Sequence, residues 1–459
     1  MQKASYQRHE PENTPLYKVM QNYLNTFLDD ACRAGDGDGV PAYVVNELAA
    51  YLDCGILAQG FVRLYCPECR TNSVVAFSCK RRGFCPSCGA RRMSNTAAHL
   101  VDHVIPHVPV RQWVLTLPYR LRFMLSRRPA LVTAVLGIYI KTISSWMAKI
   151  ARKQGIKGAK TGAFTVVQRF GGALNLNIHF HSLVLDGVYM RPEKGLPPVF
   201  KKLTAPSNED VAKILDTIIG RIAKMLDGKG YHIECQEQGG MYDGCLSASI
   251  QQRLKTWGGV PGTGEQKSNG PCSARSMGYS LNANVVVGAK KRERLENLCK
   301  YLMRPPIALE RMIELSNERI GYRLRHPFSD GSTHVIFEPL ELIEKLAALV
   351  PPPRANLVRY HGVLAPRYSH RRSIVPSVDM DDEHARVFSE SRRLEWSALL
   401  KRVFDIDVLK CSSCGGKLKV ISMITQKKVI RPFLESMKLP AEPPVLMLAR
   451  PPPQICMGF

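Results

Sequence analysis

The sequence predicts an α+β protein, on three observations. Strand-like and helix-like runs alternate along most of the chain, two strands meet through a glycine pair as a hairpin, and cysteines gather in Cys-x-x-Cys pairs. Strands joined by hairpins and interspersed with helices build an antiparallel sheet flanked by helices rather than a doubly wound one. The chain has 459 residues, 45% of them hydrophobic, ample for a sizeable core and roughly two to four domains.

Positions 17–29 place Tyr17, Met20, Tyr23, Leu24, Phe27 and Leu28 on one helical stripe. Asp36-Gly37-Asp38-Gly39 reads as a loop, and Pro41 opens a second helix to about Leu52, so 1–60 forms an N-terminal helical segment. A cysteine cluster over 66–88 and a helix reaching His107 make a unit of 61–107. Beyond it, 111–117 (RQWVLTL) predicts a strand and 129–150 a helix. The hairpin strands are 163–170 and 174–185, joined at Gly171-Gly172. A helix over 205–230 follows. Residues 231–278 are rich in Gly, Ser and polar residues and predict an insertion or loop region. Regular structure resumes with a strand over 279–287 and a helix over 290–303, stopped by Pro305-Pro306. A strand over 333–337 and a helix over 340–349 complete a unit of 108–350. Pro351-Pro352-Pro353 separates it from a basic C-terminal region, 351–459.

Lys and Arg number 64 against 39 Asp and Glu, a net charge of +25 with a pI near 9.6. A surplus that large points to a polyanionic partner, nucleic acid above all, with a merely basic solvated surface as the competing reading. The opening MQKASYQRHEPENTP holds no apolar core for a secretory signal. No stretch approaches the roughly 18 apolar residues of a membrane helix, and 130–140 is interrupted by Thr133 and Gly137. The expectation is a cytoplasmic, nucleoid-associated bacterial protein with no membrane partner. In a reducing cytoplasm the 14 cysteines are not expected to form disulfides, and the clustered ones read as metal ligands.

Cys66-Pro67-Glu68-Cys69 and Cys85-Pro86-Ser87-Cys88 are separated by 15 residues, a C-x₂-C-x₁₅-C-x₂-C spacing. Each turn aims two thiolates at one centre, and two turns complete the tetrahedral sulfur set that zinc prefers. Cys66, Cys69, Cys85 and Cys88 are therefore the expected ligands of a structural zinc, with a redox pair or buried thiols as the alternatives. Cys79 stands as a spare thiol. Arg81, Arg82, Arg91 and Arg92 give this ribbon a cationic surface for phosphate contacts. His99, His103 and His107 recur every four residues, but Pro106 and the lack of a glutamate argue against a metal there. Cys411-Ser412-Ser413-Cys414 is half of a zinc site, to be completed from elsewhere in the chain or a relic, with Cys456 far off.

In LNLNIHFHSLVL (174–185) side chains alternate between faces. Leu174, Leu176, Ile178 and Phe180 form an apolar face; Asn175, Asn177, His179 and His181 form the other. Two imidazoles at i, i+2 on a strand can share one divalent cation and leave coordination positions open; two packed histidines are the bland reading. In the helix AKKRERLENLCKYLMRP, Leu295, Leu298, Cys299 and Leu302 form the buried stripe. Tyr301 sits at its edge on the flank of Arg294, able to reach a neighbouring cleft or simply to cover the helix boundary. Arg354, Arg359, Arg367, Arg371 and Arg372 alternate with Tyr360 and Tyr368, a pattern for tracking phosphates and stacking on unpaired bases, or a solvated basic loop.

These pieces together resemble the transposases of the insertion sequence 91 type, including those of insertion-sequence common-region elements. The matching stretches are FSCKRRGFCPSC, VDHVIPHVPVRQWVLTLP, VVQRFGGALNLNIHFHSLVLDGVY, YLMRPPIALERM and GSTHVIFEPLELIEKLAALVPPPR followed by LVRYHGVLAP. The resemblance implies a His-hydrophobe-His (HUH) nuclease domain, an antiparallel sheet flanked by helices. It implies that His179 and His181 hold Mg²⁺ or Mn²⁺ and that Tyr301 attacks the scissile phosphate, leaving a 5′-phosphotyrosine and a free 3′-hydroxyl. The implied third metal ligand is Gln168, and the implied substrate is single-stranded DNA at the ends of a mobile element, with Arg294, Arg304, Arg371 and Arg372 among its contacts. Some relatives carry a second tyrosine four positions on; here that position is Pro305, so the chain resembles the single-tyrosine version. Two other readings share these features: an inactive zinc-ribbon regulator of a mobile element, and a replication initiator or relaxase.

Overall fold

A computed structural model describes residues 8–34, 39–190, 196–231, 241–251, 255–257, 270–328, 330–376 and 409–451. Its centre is an antiparallel sheet with strand order Val358–Gly362, Gly162–Phe170, Leu176–Leu185, Val110–Thr116, Tyr279–Asn282 and Ser273–Ser276. A short strand, Val286–Val287, pairs with Arg111 and Val110 beside it. The architecture is thus mixed helix and antiparallel sheet, as expected.

The expected hairpin is present, with Gly162–Phe170 and Leu176–Leu185 in register from Ala163↔Val184 to Gln168↔His179. The expected strand over 279–287 is broken in two. Between its halves the carbonyl of Ala283 takes a hydrogen bond from the buried Arg111 guanidinium, and that of Val285 takes one from Gln112 N.

One face of the sheet, carrying Leu176, Ile178, Phe180 and Val184, packs on Leu131, Val135, Tyr139, Ile143 and Met147 of helix Pro129–Lys153 and on Ile214 and Ile218 of helix Asn208–Asp227. Helix Pro129–Lys153 is long and apolar enough to cross a membrane by length and composition, which corrects the expectation that no segment is. In the fold that apolar stripe lies against the sheet, where each buried aliphatic side chain contributes about 1.5–3 kcal/mol.

The opposite face, with Phe164, Val166, Leu183 and Leu185, packs on Ala97, Leu100 and Val101 of helix Pro86–His103 and on Leu295, Cys299 and Leu302 of helix Arg292–Met303. The first of these helices ends at His103 rather than His107. Arg292 donates to the carbonyl of Val101 in the last turn of that helix and to those of Ile105 and Pro106 just beyond it. Those bonds tie the two helices together where Pro106 forbids further helical turns.

A third core joins helices Pro15–Ala34 and Ala42–Asp53 to helix Pro339–Leu349 and a sheet ordered Met312–Glu314, Ile320–Arg323, His334–Phe337 and Lys255–Trp257. Part of 231–278 is regular: it supplies that last strand, strand Ser273–Ser276 and helix Met241–Gln251, which buries Cys245, Leu246 and Ile250. Residues 232–240, 252–254 and 258–269 of that stretch lie outside the described residues, as do 36–38 of the expected N-terminal loop and Cys456. Besides a two-stranded pair, Gly187–Tyr189 with Phe200–Lys202, a three-stranded sheet has Phe61–Tyr65 in the middle, with Asn72–Ala76 on one side and Lys419–Ile424 on the other.

Candidate active site and metal centres

His179 and His181 project from the middle of the central sheet toward helix Arg292–Met303, with ring centroids 4.8 Å apart. Both are buried, 8% and 5% exposed. The carbonyl of Asn177 can only accept, so His179 Nδ1 donates to it at 2.8 Å and the Nε2 lone pair is left for a ligand. His181 Nδ1 lies 3.0 Å from the Gln112 side-chain amide. The Gln112 atom placed there is Nε2; with the oxygen and nitrogen of this amide exchanged, its oxygen accepts from Nδ1–H and holds His181 in the same tautomer as His179. His181 Nε2 is buried without any hydrogen-bond partner, and so is Gln168 Oε1, whose amide nitrogen donates to the carbonyl of Leu302 at 3.2 Å. Gln168 stands directly opposite His179 across the strand pair, which puts the two side chains on one face.

Burial depresses both imidazoles. His179 is brought down to about 4, chiefly by burial and further by Arg304 and Arg122, against the opposing hydrogen bond to Asn177. His181 lies well below the ordinary value because of burial, then His179 and Arg304. Two neutral imidazoles and a glutaminyl oxygen, two of the three with an orphaned buried acceptor, fit a divalent cation that takes nitrogen and oxygen ligands.

Tyr301 comes to this site from the last turn of its helix. Its ring meets His181 edge-on at 6.3 Å while Tyr301 is 41% exposed, so it faces both His181 and solvent. Arg304 covers the ring at 4.3 Å and Arg325 at 5.6 Å. Arg294, expected on the same flank, is exposed. Arg325 and Gln112 were not foreseen: each arrives from a segment whose neighbour is set by topology, although the alternation of 110–116 does put Gln112 on the face of Val114 and Thr116.

Next to Gln168 a cleft of about 260 Å³ opens between the ribbon and the sheet, lined by Arg82, Arg92, Gln168, Arg169, Arg304 and Asn356 among others. Arg81 and Arg91 are exposed on the ribbon outside it. Arg371 and Arg372 lie in the turn Arg371–Ser373 beyond the sheet's edge strand, Arg371 donating to the Leu364 carbonyl. Tyr360 is half-buried, its ring packed on Phe164 at 5.6 Å.

The cysteines form two four-sulfur clusters, and not the one expected. Cys85 and Cys88 converge with Cys54 and Cys79, while Cys66 and Cys69 converge with Cys411 and Cys414; within each cluster the ligand atoms lie within 4.8 Å of one another. The expected set Cys66, Cys69, Cys85 and Cys88 is thus split between them. The physical reason is that Cys85 opens helix Pro86–His103 and packs with Cys54 and Cys88 under Tyr51 and Phe84, whereas Cys66 ends strand Phe61–Tyr65 at the other side of the ribbon. In the first cluster Cys54 Sγ is 3.7 Å from Cys88 and 3.6 Å from Cys85, and Cys79 is 3.4 Å from Cys88. Zinc–sulfur bonds of about 2.3 Å put tetrahedral sulfurs roughly 3.8 Å apart, so this donor set fits a structural zinc. Cys79, set aside as spare, is a ligand in it. The rings of His99 and His103 meet tilted with centroids 5.4 Å apart, and neither belongs to a four-ligand group among the described residues.

Residues 162–372 match the family model described as "Putative transposase" (Y2_Tnp), and residues 19–117 match the transposase zinc-binding domain (Zn_Tnp_IS91). Comparisons with curated proteins and with solved structures give no match. The first match spans the histidine strand, the tyrosine helix and the arginines of the far sheet edge, and the second spans the first cysteine cluster entire. The chain belongs to the transposases of the insertion sequence 91 family.

Proposed function

We propose that this transposase nicks and rejoins single-stranded DNA at the ends of a mobile element through a 5′-phosphotyrosine at Tyr301, as in rolling-circle transposition, and that its central domain is a His-hydrophobe-His nuclease. The observation that carries the reading is the meeting of Tyr301 with His181 beside Gln168, where two buried acceptor atoms have no protein partner. His179, His181 and Gln168 would hold Mg²⁺ or Mn²⁺, which when bound polarises the scissile phosphate. Tyr301 Oη forms a bond to phosphorus, the bond from phosphorus to the 3′-oxygen breaks, and that oxygen leaves as a hydroxyl after taking a proton. The phenolic proton is released. Arg304 and Arg325, over the tyrosine ring, balance the charge of the phosphate. One phosphodiester is exchanged for another, so the later joining step needs no ATP. Within the expected boundaries, 61–107 contacts DNA through Arg81, Arg82, Arg91 and Arg92, 108–350 cuts, and 351–459 adds Arg371 and Arg372. The protein would act in the cytoplasm at the nucleoid.

The test is incubation with Mn²⁺ and a labelled single-stranded oligonucleotide spanning an element end. A denaturation-resistant adduct that vanishes in Tyr301→Phe is expected. Tight binding without an adduct from any candidate end would leave the regulator reading in its place.

A further inference from the structure

The second cysteine cluster joins parts of the chain that the sequence keeps far apart. We propose that Cys66, Cys69, Cys411 and Cys414 hold a second zinc ion, which fastens the C-terminal segment 409–436 to the N-terminal zinc-binding unit. Cys411 and Cys414 lie beyond both matched regions, 19–117 and 162–372, and the inference does not depend on the cleavage chemistry.

The sulfur geometry comes first. Cys66 and Cys414 are 3.5 Å apart, as are Cys69 and Cys411. That is far longer than the roughly 2.05 Å of a disulfide and close to the spacing of a tetrahedral zinc tetrathiolate. The backbone gives an independent argument, because the two Cys-x-x-Cys turns are copies of each other. Cys66 N donates to the carbonyl of Thr71 at 2.9 Å, and Cys411 N donates to that of Gly416 at 2.7 Å, five positions on in both. The residue after each second cysteine is left-handed, Arg70 at φ 57° and Gly415 at φ 76°. Gly416 N also donates to Cys414 Sγ at 3.4 Å, an N–H group turned onto sulfur as a thiolate needs. Two matching turns facing each other across one centre make a complete ligand set.

Around it the segment is seated on the ribbon. Leu64 and Leu418 are buried with Cys66 and Cys411, strand Lys419–Ile424 pairs along Phe61–Tyr65, and Ile430 and Leu434 of helix Lys427–Ser436 pack on Leu57 and Phe61. The loop closed between Cys69 and Cys411 is long, and its closure entropy opposes docking. Metal binding supplies free energy for such an ordering.

Zinc per chain, measured on the full-length protein purified without chelator, decides the matter. Two ions are expected in the wild type and one in Cys411→Ser/Cys414→Ser. Fewer than two in the wild type, or two in the double variant, overturns the proposal. Should the double variant misfold and lose both ions, alkylation of the native wild type serves instead. Cys32 and Cys414 are both exposed. Cys32 should label at once, and Cys414 only after chelation, together with Cys66, Cys69 and Cys411. Labelling of Cys414 at the rate of Cys32 without chelator would refute the second site.

Discussion

At His179 and His181 burial decides which protonation state exists at neutral pH, and hence whether a metal meets a lone pair or a proton. With His179 near 4 and His181 well below its ordinary value, both rings stay neutral where exposed histidines are largely charged. Divalent-metal binding should therefore persist at pH 5.5, as followed by Mn²⁺ paramagnetic resonance, and a loss centred on 6.5 would contradict the site. The stability consequence runs the same way. The unfolded chain takes up protons at these rings below about 6.5 while the folded one does not, so the metal-free fold loses stability as pH falls from there toward 4. Gln112 acts through His181. Gln112→Leu should weaken metal affinity roughly 10–100-fold, as removal of a ligand-orienting partner does, with tyrosine chemistry preserved at saturating metal. The histidines and Tyr301 were legible because alternation and the helical stripe are local. The zinc partners were not, because Cys-x-x-Cys spacing names a pair of ligands without naming the pair it meets. Cys54 and Cys79 carry no Cys-x-x-Cys signal at all.

Among elements, the register of the histidine strand is what places the site. A slip of one residue would turn His179 and His181 into the apolar layer of Ile178 and Phe180. The buried pair Arg111–Asp186 resists that slip, with Nε to Oδ1 at 2.8 Å and the second guanidinium nitrogen to Oδ2 at 3.2 Å, side chains 7% and 11% exposed. It ties the middle of the sheet to the residue just after strand Leu176–Leu185. Asp186→Ala leaves the arginine buried without its carboxylate and should cost about 3–5 kcal/mol, seen as a lower urea midpoint. Adding Arg111→Met should restore most of it. A fall no larger than that of a surface substitution would mean the pair does not hold the register. The hairpin and most helices could be read from periodicity and proline stops. The broken strand after Tyr279 could not, since its break answers to the Arg111 bond with Ala283.

At the scale of the whole molecule, two groups of arginines stand near opposite ends of strand Gly162–Phe170. Arg82, Arg92 and Arg304 line the cleft at the Gln168 end, while Arg371 and Arg372 follow the strand whose Gly362 pairs with Gly162. Gln168 and Gly162 stand six positions apart on one strand, roughly 20 Å at about 3.3 Å per residue. On the proposed function a single strand would meet the two groups at different phosphates, and only an oligonucleotide long enough to bridge them would engage both. Each neutralised phosphate contributes about 0.7 to the slope of log affinity against log salt for single strands. Arg371→Glu/Arg372→Glu should therefore weaken binding of a long oligonucleotide and lower its slope by about 1.4, if each arginine neutralises one phosphate. Binding of a strand too short to leave the cleft should be unchanged, and so should adduct formation at saturating DNA. Fluorescence titrations of both lengths across a salt series separate these effects. An unchanged slope with the long strand would place Arg371 and Arg372 off the DNA path, whereas a loss of adduct at saturation would make them part of the cutting site rather than of its grip.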